Sequence, residues 1–197
     1  MNRILLRLSA VAMAMFPTIA SAHPGLGPHQ DFVHGFMHPL SGLDHILTMV
    51  AVGLIAAHLG GRAMVLVPAA FVGAMSLAGL AGMAGINLPF VEIGIALSVI
   101  VLGAAVALRV QLPLVATMAI VGFFAIFHGH AHGTEMPATA SGLLYGSGFV
   151  LATALLHAVG IGLGLLVGFA GRANARVMQF GGGAMVLAGV ALLFGAI

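Results

Sequence analysis

Apolar stretches long enough to be helices of one uniform kind run almost from end to end of this chain, broken only by short segments rich in Gly, Pro, Arg and Asn. A helix rising 1.5 Å per residue needs about 20 apolar residues to cross a hydrocarbon core of ~30 Å. Reading for such runs predicts spans near 37–58, 63–85, 88–108, 112–133, 139–169 and 175–196. No linker, second domain or low-complexity tract interrupts them. Residues 23–197 are therefore expected to form a single domain, an all-α polytopic membrane protein built as a six-transmembrane-helix bundle. Glycines recur at helical spacing within the runs, as Gly142/Gly146, Gly160/Gly164/Gly168 and Gly181-Gly182-Gly183. In lipid, small residues at such spacing let backbones approach closely, so these positions are expected to be packing seams.

The first 22 residues read differently. Arg3 and Arg7 precede an apolar run that ends in Ala20-Ser21-Ala22, the layout of a cleavable signal peptide, and cleavage would leave His23 as the new N-terminus. An uncleaved first span is the alternative, and either delivers Pro24 onward to the outer side. With six spans after a translocated start, both mature termini face the periplasm of a bacterial-type inner membrane. The arginines test this topology independently. Arg62, Arg109, Arg172 and Arg176 all fall in the loops it makes cytoplasmic, as the positive-inside rule requires.

Composition narrows the chemistry. Of 197 residues, 61% are hydrophobic and 5% charged, with a mean hydropathy of +1.21; soluble domains carry about 25% charged residues. The sequence pI near 10.6 reflects six scattered arginines rather than a basic face, so no nucleic-acid partner is implied. Cysteine is absent, which excludes disulfides, iron–sulfur clusters and thiolate metal sites. A metal would have to be held by N and O ligands, and the twelve methionines are scattered without the ladder a Cu+ path would want.

Ionisable side chains inside apolar spans are costly and are functional candidates by default. Most of them gather at the outer ends of the spans. His38-Pro39-Leu40-Ser41-Gly42-Leu43-Asp44-His45 opens the first span; on a helix His38 and His45 share a face, and Pro39 and Gly42 are expected to distort the stretch. Imidazole with carboxylate suits divalent first-row metals. Asp44 serving only to hold His45 in one tautomer is the alternative. His128-Gly129-His130-Ala131-His132-Gly133-Thr134-Glu135 closes the fourth span, where His128 and His132 (i, i+4) and His132 and Glu135 (i, i+3) project from one side, with His130 turned elsewhere. Glu92 lies one turn below the outer end of span three, either a ligand or a side chain snorkelling to the headgroups. His157 is well inside span five, a ligand or a hydrogen-bonded core histidine. His58, near the inner end of span one, reads as interfacial. His23, His29 and His34 precede the first span and could collect metal or do nothing.

The stretch H-P-x-x-G-x-D-H from His38 to His45, with F-H-G-x-A-H-G-x-E from Phe127 to Glu135, resembles the HupE/UreJ family of hydrogenase and urease accessory proteins, regarded as nickel or cobalt permeases. Signal peptide, six spans and length match as well, so the resemblance covers essentially the whole chain. It implies that His38, Asp44, His45, Glu92, His132 and Glu135 handle the metal. A separate nickel/cobalt transporter family carries H-x4-D-H, one residue shorter than the spacing here.

The resulting expectation is a permease and not an enzyme, with Ni2+ or Co2+ as cargo, no permanent cofactor, the lipid bilayer as its surroundings, and a homo-oligomer or hydrogenase and urease maturation proteins as candidate partners. Neither a G-x-x-x-x-G-K-[ST] loop nor H-E-x-x-H is present, so ATP hydrolysis by that loop and zinc-protease chemistry are disfavoured. An intramembrane metal-dependent enzyme and a non-transporting metal-binding subunit of a larger assembly are the alternatives.

Overall fold

The computed structural model describes residues 28–137, 140–169 and 173–196. They form seven helices and, among the described residues, no strand: α1 (Pro28–Ser41), α2 (Leu43–Leu59), α3 (Ala63–Met83), α4 (Val91–Ala107), α5 (Leu114–Glu135), α6 (Gly142–Phe169) and α7 (Ala173–Leu193). Of these, α3, α5, α6 and α7 are long and apolar enough to cross a membrane. The α1–α2 pair would make a further crossing bent by 81°, and α4 is a shorter apolar helix of 17 residues, about 25 Å at the helical rise. The chain is an all-α polytopic membrane bundle. The signal segment expected over residues 1–22 lies outside the described residues, as does His23.

The first expected span, 37–58, is where the helices depart most from the sequence reading. Gly42 takes an extended conformation (φ −99°, ψ 124°), and it ends α1 and starts α2. Pro39, inside the last turn of α1, has no N–H to give to the ladder, which weakens the helix just before the break. Residues 37–41 therefore belong to α1. His38 and His45 do not share the face of one helix; they come from two helices that meet at a steep angle.

Glycine determines how closely the helices pack. The most extensive contact is between α3 and α5, followed by α4 with α7, α2 with α6 and α1 with α6. Gly129 and Gly133, one turn apart on α5, lie against the main chain of Met75 and Gly79 on α3, where a Cβ would overlap backbone atoms. Gly53 on α2 and Gly160 on α6 meet in the same way. Two of the expected seams need correcting: a Cβ at Gly146, Gly181 or Gly183 would meet open space, and only Gly182 of its triplet packs, against Gly103 and Ala107. The helical register turns those three away from the neighbouring helix. Around the seams Met49, Val52, Phe71, Met75, Val99, Leu102 and Val121 make the core, while Leu77, Leu143, Leu166 and Phe180 stand on the outer faces, where lipid takes the place of a protein neighbour.

Candidate metal centre

Three helix ends bring the polar residues together. The last turn of α1 carries His38, the first turn of α2 carries Asp44 and His45, and the final turns of α5 carry His128, His132 and Glu135 at helical spacing. Four imidazoles stack into a column that runs from this end into the bundle. Ring centroids are 4.7 Å apart from His38 to His132, 4.3 Å from His132 to His45 and 4.6 Å from His45 to His128. His45 and His132 are buried and His128 is fully so, at 0% exposure. At the mouth His38 is partly open and Glu135 is 52% exposed.

The hydrogen bonds assign most of the nitrogens. His38 Nε2 donates to Glu135 Oε2 at 3.1 Å, and the same oxygen lies 3.7 Å from His132 Nδ1. One ligand atom from each of His38, His132 and Glu135 falls within 4.8 Å of the others, room for a single cation. His45 Nδ1 donates to Asp44 Oδ1 at 2.9 Å, so the lone pair of His45 is on Nε2, which faces His132 Nε2 at 2.5 Å. His132 Nε2–H therefore donates to His45 Nε2; metal–imidazole bonds of ~2.1 Å set two nitrogens on one ion about 3.0–3.4 Å apart, so an ion that replaces this proton must open the pair by about 0.5–0.9 Å. Asp44 thus stands one step behind the column. It fixes the tautomer of His45 and makes its Nε2 a better donor of electrons.

Deeper in, Ser98 on α4 donates its hydroxyl hydrogen to Ile95 O at 2.6 Å. It can therefore only accept from His128 Nε2, 2.8 Å away, and from Thr48 Oγ1 at 2.9 Å. That fixes His128 as the Nε2–H tautomer. Its Nδ1 is left as a bare acceptor, buried and without a hydrogen-bond partner among the described residues. A lone pair held this way is ready for a cation. The carboxylates of Asp44, half-buried behind His45, and Glu135, exposed at the mouth, supply the negative charge.

The remaining sequence candidates lie apart. Glu92 is exposed in the first turn of α4, next to the left-handed Phe90 (φ 60°), and joins neither the column nor the cluster at its mouth. His130 faces away, as its register implied, and Nε2 donates to Ile86 O at 2.6 Å, tying the α3–α4 loop to α5. His34 is exposed on α1. His58 is at the opposite end of the bundle, where Nε2 donates to Arg109 O at 3.2 Å. His157 is buried in α6 beyond the column.

Four residues at the site were not picked out from the sequence. Ser98 and Thr48 are hydroxyls inside otherwise apolar helices, and Thr48 follows His45 by three residues, so helical register could have flagged it. Phe71, with its ring centroid 5.9 Å from that of His128, and Tyr145, 6.1 Å from His38, gave no signal among so many apolar neighbours. Beside His132 a cavity of about 760 Å3 opens between α3, α5 and α6, bordered by Gly129, Gly133, Tyr145 and Phe149.

Comparison with known proteins agrees with the motifs that frame this column. The family described as HupE / UreJ protein matches residues 11–192. Protein HupE of Rhizobium leguminosarum bv. viciae is 49% identical over 196 residues, covering 98% of this chain and 98% of its own length. No solved structure matches the chain. With a match across nearly its whole length and a relative this similar, the chain belongs to the HupE/UreJ family.

Proposed function

We propose that this protein is an inner-membrane permease for a divalent first-row transition metal ion, Ni2+ first and Co2+ second, that supplies the maturation of a metalloenzyme such as hydrogenase or urease. The observation that carries the reading is the column His38–His132–His45–His128, with Asp44 and Glu135 beside it, which runs from a partly open mouth to buried imidazoles inside an apolar bundle. Imidazole and carboxylate are the donor set for such ions. Successive imidazoles less than 5 Å apart let an ion acquire its next ligand before losing its last one.

In this reading the ion loses part of its water at Glu135 and His38, is gripped between His132 and His45, and moves on to the bare Nδ1 of His128. No single station needs to hold tightly, since a permeant ion has to leave as well as enter. An inside-negative potential of about 100 mV favours a divalent cation by ~4.6 kcal/mol, enough for roughly 10³-fold accumulation without a coupled energy source. We read the chain as a transporter rather than an enzyme because its imidazoles succeed one another along the bundle, from the open mouth to the fully buried His128. Uptake of radiolabelled Ni2+, with Co2+ in competition, by cells that lack other nickel importers tests this. Accumulation that depends on His45 supports the permease, and its absence at normal membrane abundance contradicts it.

A further inference from the structure

Past the column lies one more buried histidine with no hydrogen bond to account for it. His157 on α6 is 1% exposed, and neither Nδ1 nor Nε2 has a partner among the described residues. A buried polar atom left unpaired destabilises the fold, so a leucine or phenylalanine would fill this place at lower cost. An imidazole kept there with both nitrogens bare calls for a role that packing does not supply.

Its position suggests one. Phe149 packs on His132, with ring centroids 4.1 Å apart, and His157 follows Phe149 by eight residues on the same helix, about 12 Å further into the bundle. Gly53, eight residues beyond His45 on α2, meets the main chain of His157 and gives the same depth. Between His128 and His157 stands Phe71, fully buried. Its ring centroid is 5.9 Å from that of His128 and 5.2 Å from that of His157, to which it is nearly perpendicular at 86°. A phenyl ring offers no ligand atom, so the chain of imidazoles is interrupted there and resumes on its far side. One turn before His157, the buried Thr153 donates to Met75 Sδ at 3.8 Å, and Met75 lies one turn from Phe71. A hydroxyl and a soft thioether therefore adjoin the same level of the bundle.

We infer that His157 is a second, inner station for the transported divalent metal ion, separated from the outer column by the Phe71 ring. This rests on the permease reading. With one imidazole, no carboxylate among the groups described around it and Thr153 as the nearby hydroxyl, the inner station binds more weakly than the outer one. That asymmetry suits release toward the far end, since the ion moves from a crowded ligand set to a sparse one.

The test is Co2+ and Ni2+ binding to the full-length protein in lipid nanodiscs, by calorimetry and by the visible absorption of bound Co2+, alongside uptake in cells. The wild type should bind two ions, the second at least tenfold more weakly. His157→Leu should keep the tight phase and its Co2+ spectrum, which also reports an intact fold, while losing the weak phase and at least tenfold of the uptake. His157→Gln should do the same in a side chain that remains polar. His132→Ala should lose the tight phase and keep the weak one. Two phases and full uptake in both His157 variants would overturn the inner station and leave the permease standing. No binding of either metal by the wild type would overturn the permease reading and the inner station with it.

Discussion

His45 and His132, 87 residues apart in the chain, point their Nε2 atoms at each other across the junction of α2 and α5, and Asp44 and Glu135 flank the pair. With the His45 lone pair on Nε2, His132 Nε2–H donates to it, and a cation that displaces this proton would be shared by the two nitrogens. If one ion bridges them, His45→Ala and His132→Ala should each lower Ni2+ uptake at least tenfold. The double variant should be little worse than either single one, because the first substitution already breaks the bridge. Initial uptake rates at matched membrane abundance check this, and losses that multiply would speak against a shared ion.

Asp44 touches the site through His45. Removing a carboxylate that orients a metal-ligating imidazole costs about 10–100-fold in affinity. Asp44→Ala should therefore weaken Ni2+ binding within that range while leaving the number of bound ions unchanged. A calorimetric titration separates affinity from stoichiometry, and loss of an entire binding phase would make Asp44 itself a ligand.

Protonated imidazole has no lone pair to offer, so metal binding by the column releases protons or requires that they be absent. Protons and metal compete for the same nitrogens, and uptake should fall as the outer pH drops from about 7.5 to 5. Rates that do not change over that interval would count against histidine ligation.

The α3–α5 seam has no room for side chains at Gly129 or Gly133. Gly133→Val should push the two helices apart, lower the abundance of folded protein in the membrane and displace His132, the preceding residue. Gly146→Ala, where a Cβ meets open space, should leave abundance and uptake unchanged. Detergent-extracted protein analysed by size-exclusion chromatography distinguishes the two.

Much of this was legible in the sequence. Apolar runs marked where α3 to α7 fall, because in lipid the span length is set by membrane thickness, whereas α1 had no expected counterpart and the first run is split at Gly42. His128, His132 and Glu135 were readable as one side of a helix from their spacing alone. The angle at Gly42 was not, since a glycine and a proline announce a distortion but not its direction. That direction is what carries His38 over His132. Phe71 and Ser98 stayed hidden for a similar reason: their roles come from which helix lies opposite, and α4 meets the column only through tertiary packing. Glu92, part of the set implied by family resemblance, stands exposed and outside the cluster of His38, His132 and Glu135.

The Ser98 hydroxyl holds His128 in the tautomer that leaves Nδ1 bare. Ser98→Ala removes that hold without adding bulk, so the imidazole is free to turn and to exchange tautomers. Uptake should drop several-fold with abundance unchanged, and Ser98→Thr, which keeps the hydroxyl, should recover part of it. If both substitutions reduce uptake equally, packing at this position outweighs the hydrogen bond.

The central claim, that this single chain carries a divalent metal ion across a membrane along its histidine column, is met most directly by Ni2+ flux into proteoliposomes that contain only this protein. With an inside-negative potential imposed, Ni2+ entering wild-type vesicles and excluded from His45→Ala vesicles is the expected result. Correctly inserted wild-type protein that passes no Ni2+ or Co2+ would contradict it.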